Sequence, residues 1–385
     1  MTFRWVDDEV DLLALVDQLV VEPRYALDTE FHRERTYFPR LALVQVGWPG
    51  GIALVDPLAV DPELFKKLFD SDAVAVLHAA QQDLDVLAHA VGSVPRVIYD
   101  TQVAAGFIGY ATPSLVELVR GELGHSPAKG DRLTDWLHRP LTADQKEYAA
   151  SDVRYLLDLQ DHIDAKLIER GRLAWAVEAF DELRSRPTGR TAPEAAWTRL
   201  KDARTLRPRS RSVAQAVAAW RELEAQALDI PVRQVLPDLA ILGIAQRQPT
   251  NLAELGQCRG VDDRHRRGRI GNELVAVVEA AKDAPPPKAG NGSDDVDRSL
   301  RPALTLISAW VSQVARTEQI DTALLATRSD LVALLSGDSE ARLHSGWRAE
   351  LVGEGIERLL AGSVGLTFDG HGGLRLIEVA GEPAQ

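Results

Sequence analysis

Over residues 1–185 the apolar positions form short continuous runs separated by stretches of helical spacing. Runs at 24–27, 41–48 and 52–55 predict strands, and Pro49-Gly50-Gly51 between the last two is a turn signal. The three read as an antiparallel meander. A helix near 62–68, a buried strand at 73–77, a helix over 81–90 and a short strand at 96–99 follow. Beyond Asp100 the spacing turns helical, at 101–109, 113–123 and 142–168. Hairpins first, then parallel strands with crossover helices, predict an α/β unit built on a mixed sheet flanked by helices.

After this unit the strand pattern gives way to helices. Apolar positions at three-to-four spacing predict helices over 194–204, 213–228, 231–243 and 251–256, and again over 300–315, 320–326, 328–336 and 346–361. Ile230-Pro231 suits a helix start with proline in the first turn. Two segments without apolar periodicity, 184–193 and 283–297, are polar and carry proline and glycine, so they read as linkers. The expected division is therefore 1–185, 192–282 and 298–380. The last unit ends in apolar runs at 364–368 and 374–379 around Asp369-Gly370-His371-Gly372-Gly373, which predict a small hairpin.

Composition alters this picture mainly through charge. The 385 residues are 45% hydrophobic and 26% charged, ordinary for a globular chain. A net charge of −13 argues against a polyanion partner. The charge is uneven, however. Residues 1–189 hold 19 Lys and Arg against 31 Asp and Glu, net −12; residues 190–283 hold 16 against 12, net +4; residues 284–385 hold 9 against 14, net −5. A lone cysteine, Cys258, excludes an internal disulfide framework and a cysteine-built zinc site, and it fits a reducing compartment. The chain begins with an acidic run rather than an apolar signal core, and no apolar stretch approaches the ~18 residues of a membrane span. A cytoplasmic location without a membrane partner is the expectation.

The strand at 24–27 runs into Asp28-Thr29-Glu30. Residues two apart on a strand point to one face. Asp28 and Glu30 therefore present paired carboxylates, whose repulsion is costly unless one is protonated or a cation lies between them. The same spacing at Asp7/Glu9, Asp61/Glu63, Asp70/Asp72, Asp83/Asp85 and Glu222/Glu224 reads as solvated acidic surface; Asp28 and Glu30 differ in ending an apolar strand. Asp83 falls in the first turn of the helix after the 73–77 strand, where the helix dipole by itself favours a carboxylate. Asp85 lies two residues further on and points elsewhere. Tyr148 and Asp152 are four apart on a predicted helix and share a face. Four such carboxylates suit hard divalent cations, Mg2+ or Mn2+. Two of these, roughly 3.5–4 Å apart, can clamp the attacking and leaving oxygens of an in-line phosphoryl displacement. Tyr148 then orients or deprotonates the attacking water.

Asp28-Thr29-Glu30-Phe31, with Arg35-Thr36-Tyr37-Phe38-Pro39-Arg40-Leu41 and Leu43-Val44-Gln45, resembles the first exonuclease motif of the ribonuclease D family. His78-Ala79 through Asp83-Leu84 resembles its second motif. Pro140-Leu141-Thr142, Gln145, Tyr148-Ala149 and Asp152-Val153 resemble the third, with the Tyr-x-x-x-Asp of the DEDD-y class of 3′→5′ exonucleases. The resemblance covers about residues 20–165, in order and at the right intervals. It implies a ribonuclease-H-like fold, two divalent metal ions held by Asp28, Glu30, Asp83 and Asp152, and a water positioned by Tyr148. Lys129-Gly130 through Asp135-Trp136 resembles the segment before the third motif; Lys129 and Arg132 are expected at phosphate, and Trp136 is expected to pack.

Residues of about 192–275 resemble the HRDC domain shared by RecQ-type helicases and ribonuclease D, on Ala196-Trp197 and on Leu223-Glu224 through Ile230-Pro231. Arg199, Lys201, Arg204, Arg207, Arg209 and Arg211 put six cations within 13 residues, against one acid, Asp202. Arg264, Arg266, Arg267 and Arg269 form a second cluster. Such groups give phosphate affinity without base specificity; the competing reading is solvated arginine-rich faces. The third unit is expected to be a diverged HRDC-like domain. The leading reading is a metal-dependent 3′→5′ exoribonuclease acting on RNA with a free 3′ end and releasing nucleoside 5′-monophosphates, with tRNA 3′ maturation implied by the resemblance. A 3′→5′ DNA exonuclease in repair is the first alternative. An RNA-binding adaptor with a retired active site is the second, and the presence of all five motif residues speaks against it.

Overall fold

The computed structural model describes residues 3–127, 134–188, 192–203, 206–287 and 298–379. Its first unit is built on a six-stranded sheet. β1 (Phe3–Val6) and α1 (Glu9–Val20) come first, then β2 (Arg24–His32), β3 (Arg40–Trp48) and β4 (Gly51–Val55). A 3-10 turn leads through α2 (Lys66–Phe69) to β5 (Val74–Leu77), α3 (Gln81–Ala90) and β6 (Ile98–Asp100). The strand order is β1-β4-β3-β2-β5-β6. β2, β3 and β4 pair antiparallel, as the meander predicts, while β5 and β6 add parallel to β2. Near-continuous apolar runs suit strands covered on both faces, and β3 is buried from Leu41 to Gly47.

Residues 3–20 lie outside every element expected from the sequence, yet β1 pairs parallel with β4 and α1 follows. The helix signal lies within the acidic run itself. Asp8 caps α1 by accepting from the amides of Val10 and Asp11, and Leu12, Leu15, Val16 and Leu19 form its buried stripe. The helices α4 (Thr101–Gly106) and α5 (Leu115–Leu123) follow β6. The stretch expected as one helix over 142–168 is two, α6 (Ala143–Arg154) and α7 (Leu156–Glu169), because Tyr155 at φ −108° and ψ −2° breaks the run. A further helix, α8 (Leu173–Arg184), lies beyond the expected elements.

In the second unit, Pro193–Arg199 is a 3-10 helix rather than the expected α-helix. The long α9 (Pro208–Leu228) begins with proline in its first turn. The helix expected over 231–243 is split into α10 (Val232–Val235) and α11 (Asp238–Arg247) by extended backbone at Leu236-Pro237. α12 (Leu252–Leu255) and α13 (Gly268–Ala281) complete the unit, the last unforeseen. Its core is its own, built from residues such as Trp197, Val217, Ile241, Ile244, Leu274 and Val278, and it includes the buried thiol of Cys258.

The third unit contains α14 (Arg301–Glu318), α15 (Thr322–Leu325) and α16 (Arg328–Leu335), a helical stretch over 346–360 and the predicted hairpin, β7 (Val364–Phe368) with β8 (Leu374–Glu378). Its core is continuous with that of the first unit. Trp347 packs on Phe107 and Trp175, and the guanidinium of the buried Arg348 binds Glu182 at 2.7 and 3.1 Å. The third unit also follows the course of the second. Each long helix ends in a left-handed residue, Asp229 at φ 47° and Gln319 at φ 53°; an isoleucine and a four-residue helix come next. The amides of Ile230 and Ile320 donate back to Ala225 and Ala315 at 3.1 and 2.9 Å. Among the described residues, no helix is long and apolar enough to cross a membrane.

Candidate metal centre and nucleic-acid interface

The β2 strand carries Asp28, Thr29 and Glu30 out of the core, with Asp28 directly across the ladder from Gln45 and Glu30 across from Leu43. α6 brings Asp152 onto the same face. It starts at Thr142, which forms a capping box with Gln145. The segment ahead of it is anchored by Arg139, whose guanidinium binds both oxygens of Asp56 at 2.7 Å and the carbonyls of Ala42 and Trp136. The result is a cluster in which carboxylate oxygens of Asp28, Glu30 and Asp152 all lie within 4.8 Å of one another.

Asp83 approaches from α3. The start of that helix is set by Asp100, whose carboxylate accepts from the amides of Ala79 and Ala80 at 3.1 and 2.8 Å while capping α4. Ala79 has a φ of 58°, a left-handed conformation that turns the chain sharply out of β5. Asp83 stands beside the three-carboxylate group rather than within it. Its Oδ1 accepts from the Thr29 amide at 3.1 Å and from the Thr29 hydroxyl at 2.5 Å. Thr29, which has no place among the residues expected at the site, thus holds Asp83. Asp85 is only half-buried and lines a separate cavity.

Electrostatics mark these acids as a unit. Burial, and then the charges of Asp83, Asp152 and Glu30, hold the Asp28 carboxyl well above the usual range. Burial, with Asp152 and Asp83 nearby, pushes Glu30 up to about 8. Burial likewise raises Asp83, against the hydrogen bonds from Thr29, and raises Asp152, against a hydrogen bond from Tyr148. None of the four forms an ion pair with a described residue. Desolvated, mutually repelling carboxylates without a protein cation are what a hard divalent ion neutralises, so the donor set fits one. Tyr148 is half-buried against the core and stacks on the buried Trp136, with ring centroids 6.1 Å apart. Trp136 therefore packs, as expected.

The basic residues divide. Lys129, Arg132 and Arg204 lie outside the described residues. Arg199, Lys201, Arg207 and Arg209 are exposed, while Arg211 is half-buried. The second cluster is neutralised within its own unit: Arg264 pairs with Asp262, Arg266 and Arg267 with Asp263, and Arg269 with Glu224 and Glu273. Between the first and second units lies a cavity of about 910 Å3, whose lining includes Arg33, Tyr37, Phe38 and His89 from the first and Arg199 and Arg233 from the second. Phe38 and His89 stack there, with centroids 4.4 Å apart.

Comparison with known proteins agrees with this geometry. Residues 3–168 match the 3′-5′ exonuclease family model, and residues 210–278 match the HRDC domain. The chain is 38% identical to ribonuclease D of a Jannaschia species, over 96% of this chain and 98% of the relative. It is 34% identical to ribonuclease D of Escherichia coli, over 94% and 99%. The crystal structure of the Escherichia coli enzyme, described as an exoribonuclease involved in structured RNA processing, superposes with a TM-score of 0.85 at 31% identity, covering 94% of this chain and 99% of that one. With its exonuclease unit on a mixed sheet, its helical HRDC domain and an acidic cluster suited to divalent metal, the chain belongs to the ribonuclease D family of 3′→5′ exonucleases.

Proposed function

We propose that this exonuclease trims structured RNA from a free 3′ end and releases nucleoside 5′-monophosphates. The observation that carries the reading is the convergence of Asp28, Glu30 and Asp152 within 4.8 Å, with Asp83 held beside them by Thr29. In this reading Asp28, Glu30, Asp83 and Asp152 hold two divalent ions, Mg2+ or Mn2+, which supply Lewis acidity at the scissile phosphate. Tyr148 and Asp152 act from consecutive turns of α6. The phenol, stacked on Trp136, holds the attacking water in line, and the ring packing keeps it from swinging away.

The second unit, taken as an HRDC domain over 192–282, holds the body of the substrate. Arg199, Lys201, Arg207 and Arg209 are the exposed cations that serve phosphate, and they offset the acidity of the first unit. The third unit, 298–380, reads as a diverged HRDC-like domain, supported by its shared course of long helix, left-handed cap, isoleucine and four-residue helix. Its packing on α8 makes it a brace for the exonuclease unit. The preference for structured RNA is carried over from the Escherichia coli relative.

The test is degradation of matched 3′-tailed RNA and DNA with Mg2+ or Mn2+, comparing the wild type with Asp28→Ala and Asp152→Ala. RNA shortening that needs metal and both aspartates is expected. Equal or faster loss of the DNA would make this a DNA exonuclease, and undiminished activity in either variant would sink the site assignment.

A further inference from the structure

Gln45 is fully buried on β3, and neither its Oε1 nor its Nε2 has a hydrogen-bond partner among the described residues. A buried carboxamide left with both ends unpaired is rare in native structures and calls for a reason. Its two ladder neighbours differ in what they can offer. Across the ladders, Gln45 faces Leu54 on β4, which offers no polar group, and Asp28 on β2. Directly opposite residues of an antiparallel pair share a face, with Cβ atoms about 4.5–5.5 Å apart. α6 covers that face. Gly47, two residues on, lies so close to α6 that a side-chain carbon there would meet the Val153 carbonyl oxygen at 3.2 Å. Gln45 is thus enclosed between the strand of Asp28 and the helix of Asp152.

The neighbouring acids already show what such a group does. Thr29 gives Asp83 an amide and a hydroxyl donor, and Tyr148 gives Asp152 a phenol donor. Asp28 receives only a backbone donor from Thr29; no side-chain donor among the described residues serves it. Metal-binding carboxylates are commonly held by a second ring of hydrogen-bond donors that sets their orientation.

We propose that Gln45 is a positioning residue of the metal centre, its Nε2 donating to the Asp28 carboxylate and fixing which oxygen Asp28 turns toward the cation. The inference rests on the proposed role of Asp28 as a metal ligand. Gln45 does not touch substrate; it acts through Asp28.

The experiment is Mn2+ titration of the full chain, by calorimetry and by the spin-resonance signal of free Mn2+, with thermal unfolding in chelator alongside. Gln45→Met fills the slot without the amide. It is expected to bind Mn2+ about 10–100-fold more weakly than the wild type, while its unfolding temperature in chelator stays close to that of the wild type, since methionine fills a similar volume and the variant is folded. Affinity within about twofold of the wild type would overturn the proposal and leave the amide to an internal water. Should Gln45→Met fail to fold, Gln45→Asn decides, because it keeps the polar group one methylene short of Asp28; the same loss of affinity is expected, and unchanged affinity overturns the proposal. Asp28→Asn separates the two readings. If it binds Mn2+ as the wild type does, the metal assignment of Asp28 has failed rather than the role of Gln45.

Discussion

The phenol of Tyr37 donates a 2.5 Å hydrogen bond to Glu222, tying the loop that leaves β2 to the long helix of the HRDC domain. Gln226 donates to the same phenol oxygen at 3.0 Å, and the Phe38 amide donates to Asp229 at 3.0 Å. Burial and the bond to Glu222 push the Tyr37 phenol up to about 12, so it remains a donor across the physiological range. The link joins the strand of Asp28 and Glu30 to the domain that carries the exposed cations. In a double-mutant cycle of Tyr37→Phe and Glu222→Gln, a coupling of about 1–2 kcal/mol is expected for this part-buried, charge-assisted bond. Both variants should raise KM on tailed structured RNA and leave kcat on a short oligonucleotide unchanged. Equal loss of kcat on both substrates would mean that the link holds the metal centre rather than the domain.

The four acids make the metal-free enzyme sensitive to pH in a defined direction. A carboxyl in the unfolded chain titrates near 4, whereas burial raises all four in the fold, Glu30 to about 8. Between those limits the folded state holds protons that the unfolded state has released. Stability therefore falls as pH rises through that window. In chelator, Tm should be higher near pH 5.5 than near pH 8, and added Mn2+ should raise it more at the upper end, where the carboxylates must otherwise ionise unpaired. Asp28→Asn should raise Tm in chelator near pH 8 while abolishing activity. A chelated Tm that climbs from pH 5.5 to 8 would contradict the electrostatic account.

The parts of this fold visible in the sequence are those written in local periodicity. The runs that became β2, β3, β4 and β5 are apolar enough to name themselves, and Asp28, Glu30, Tyr148 and Asp152 stand at spacings that strand and helix geometry convert into shared faces. Two kinds of information escaped. Elements with weak or masked local signals went unread: β1 has four residues, the stripe of α1 starts inside an acidic run, and α13 carries glycines at 268 and 271. Relationships set by tertiary packing left no trace at all. Nothing local to Tyr37 points to Glu222, and nothing local to Thr29 points to Asp83. The basic residues show the same limit from the other side. Arg264, Arg266 and Arg267 look like a phosphate-binding cluster until Asp262 and Asp263 are seen to pair with them.

Tyr148 offers a separable test of water positioning. Tyr148→Phe removes the hydroxyl and its bond to Asp152 but keeps the ring that stacks on Trp136. Single-turnover cleavage should slow by about 10²-fold or more, with Mn2+ affinity and Tm little changed. If cleavage keeps its rate, the water is held by the metal centre alone.

The cleft between the exonuclease and HRDC domains predicts where salt dependence originates. Of the four arginines lining it among the described residues, Arg221 and Arg233 are engaged with Asp238, at 2.6 and 3.3 Å. Arg33 and Arg199, one from each domain, form no ion pair among the described residues. An arginine already paired with an acid gains little from a phosphate, because it must exchange one anion for another. An unpaired one gains the contact and releases a condensed counterion from the RNA. Arg33→Gln and Arg199→Gln should therefore each weaken RNA binding and flatten the plot of log affinity against log salt by about one unit or slightly less. Arg264→Gln and Arg267→Gln, equal to them in charge removed, should barely change the slope, since Asp262 and Asp263 already neutralise those side chains. Equal flattening by all four variants would mean that net charge, rather than unpaired charge, holds the RNA.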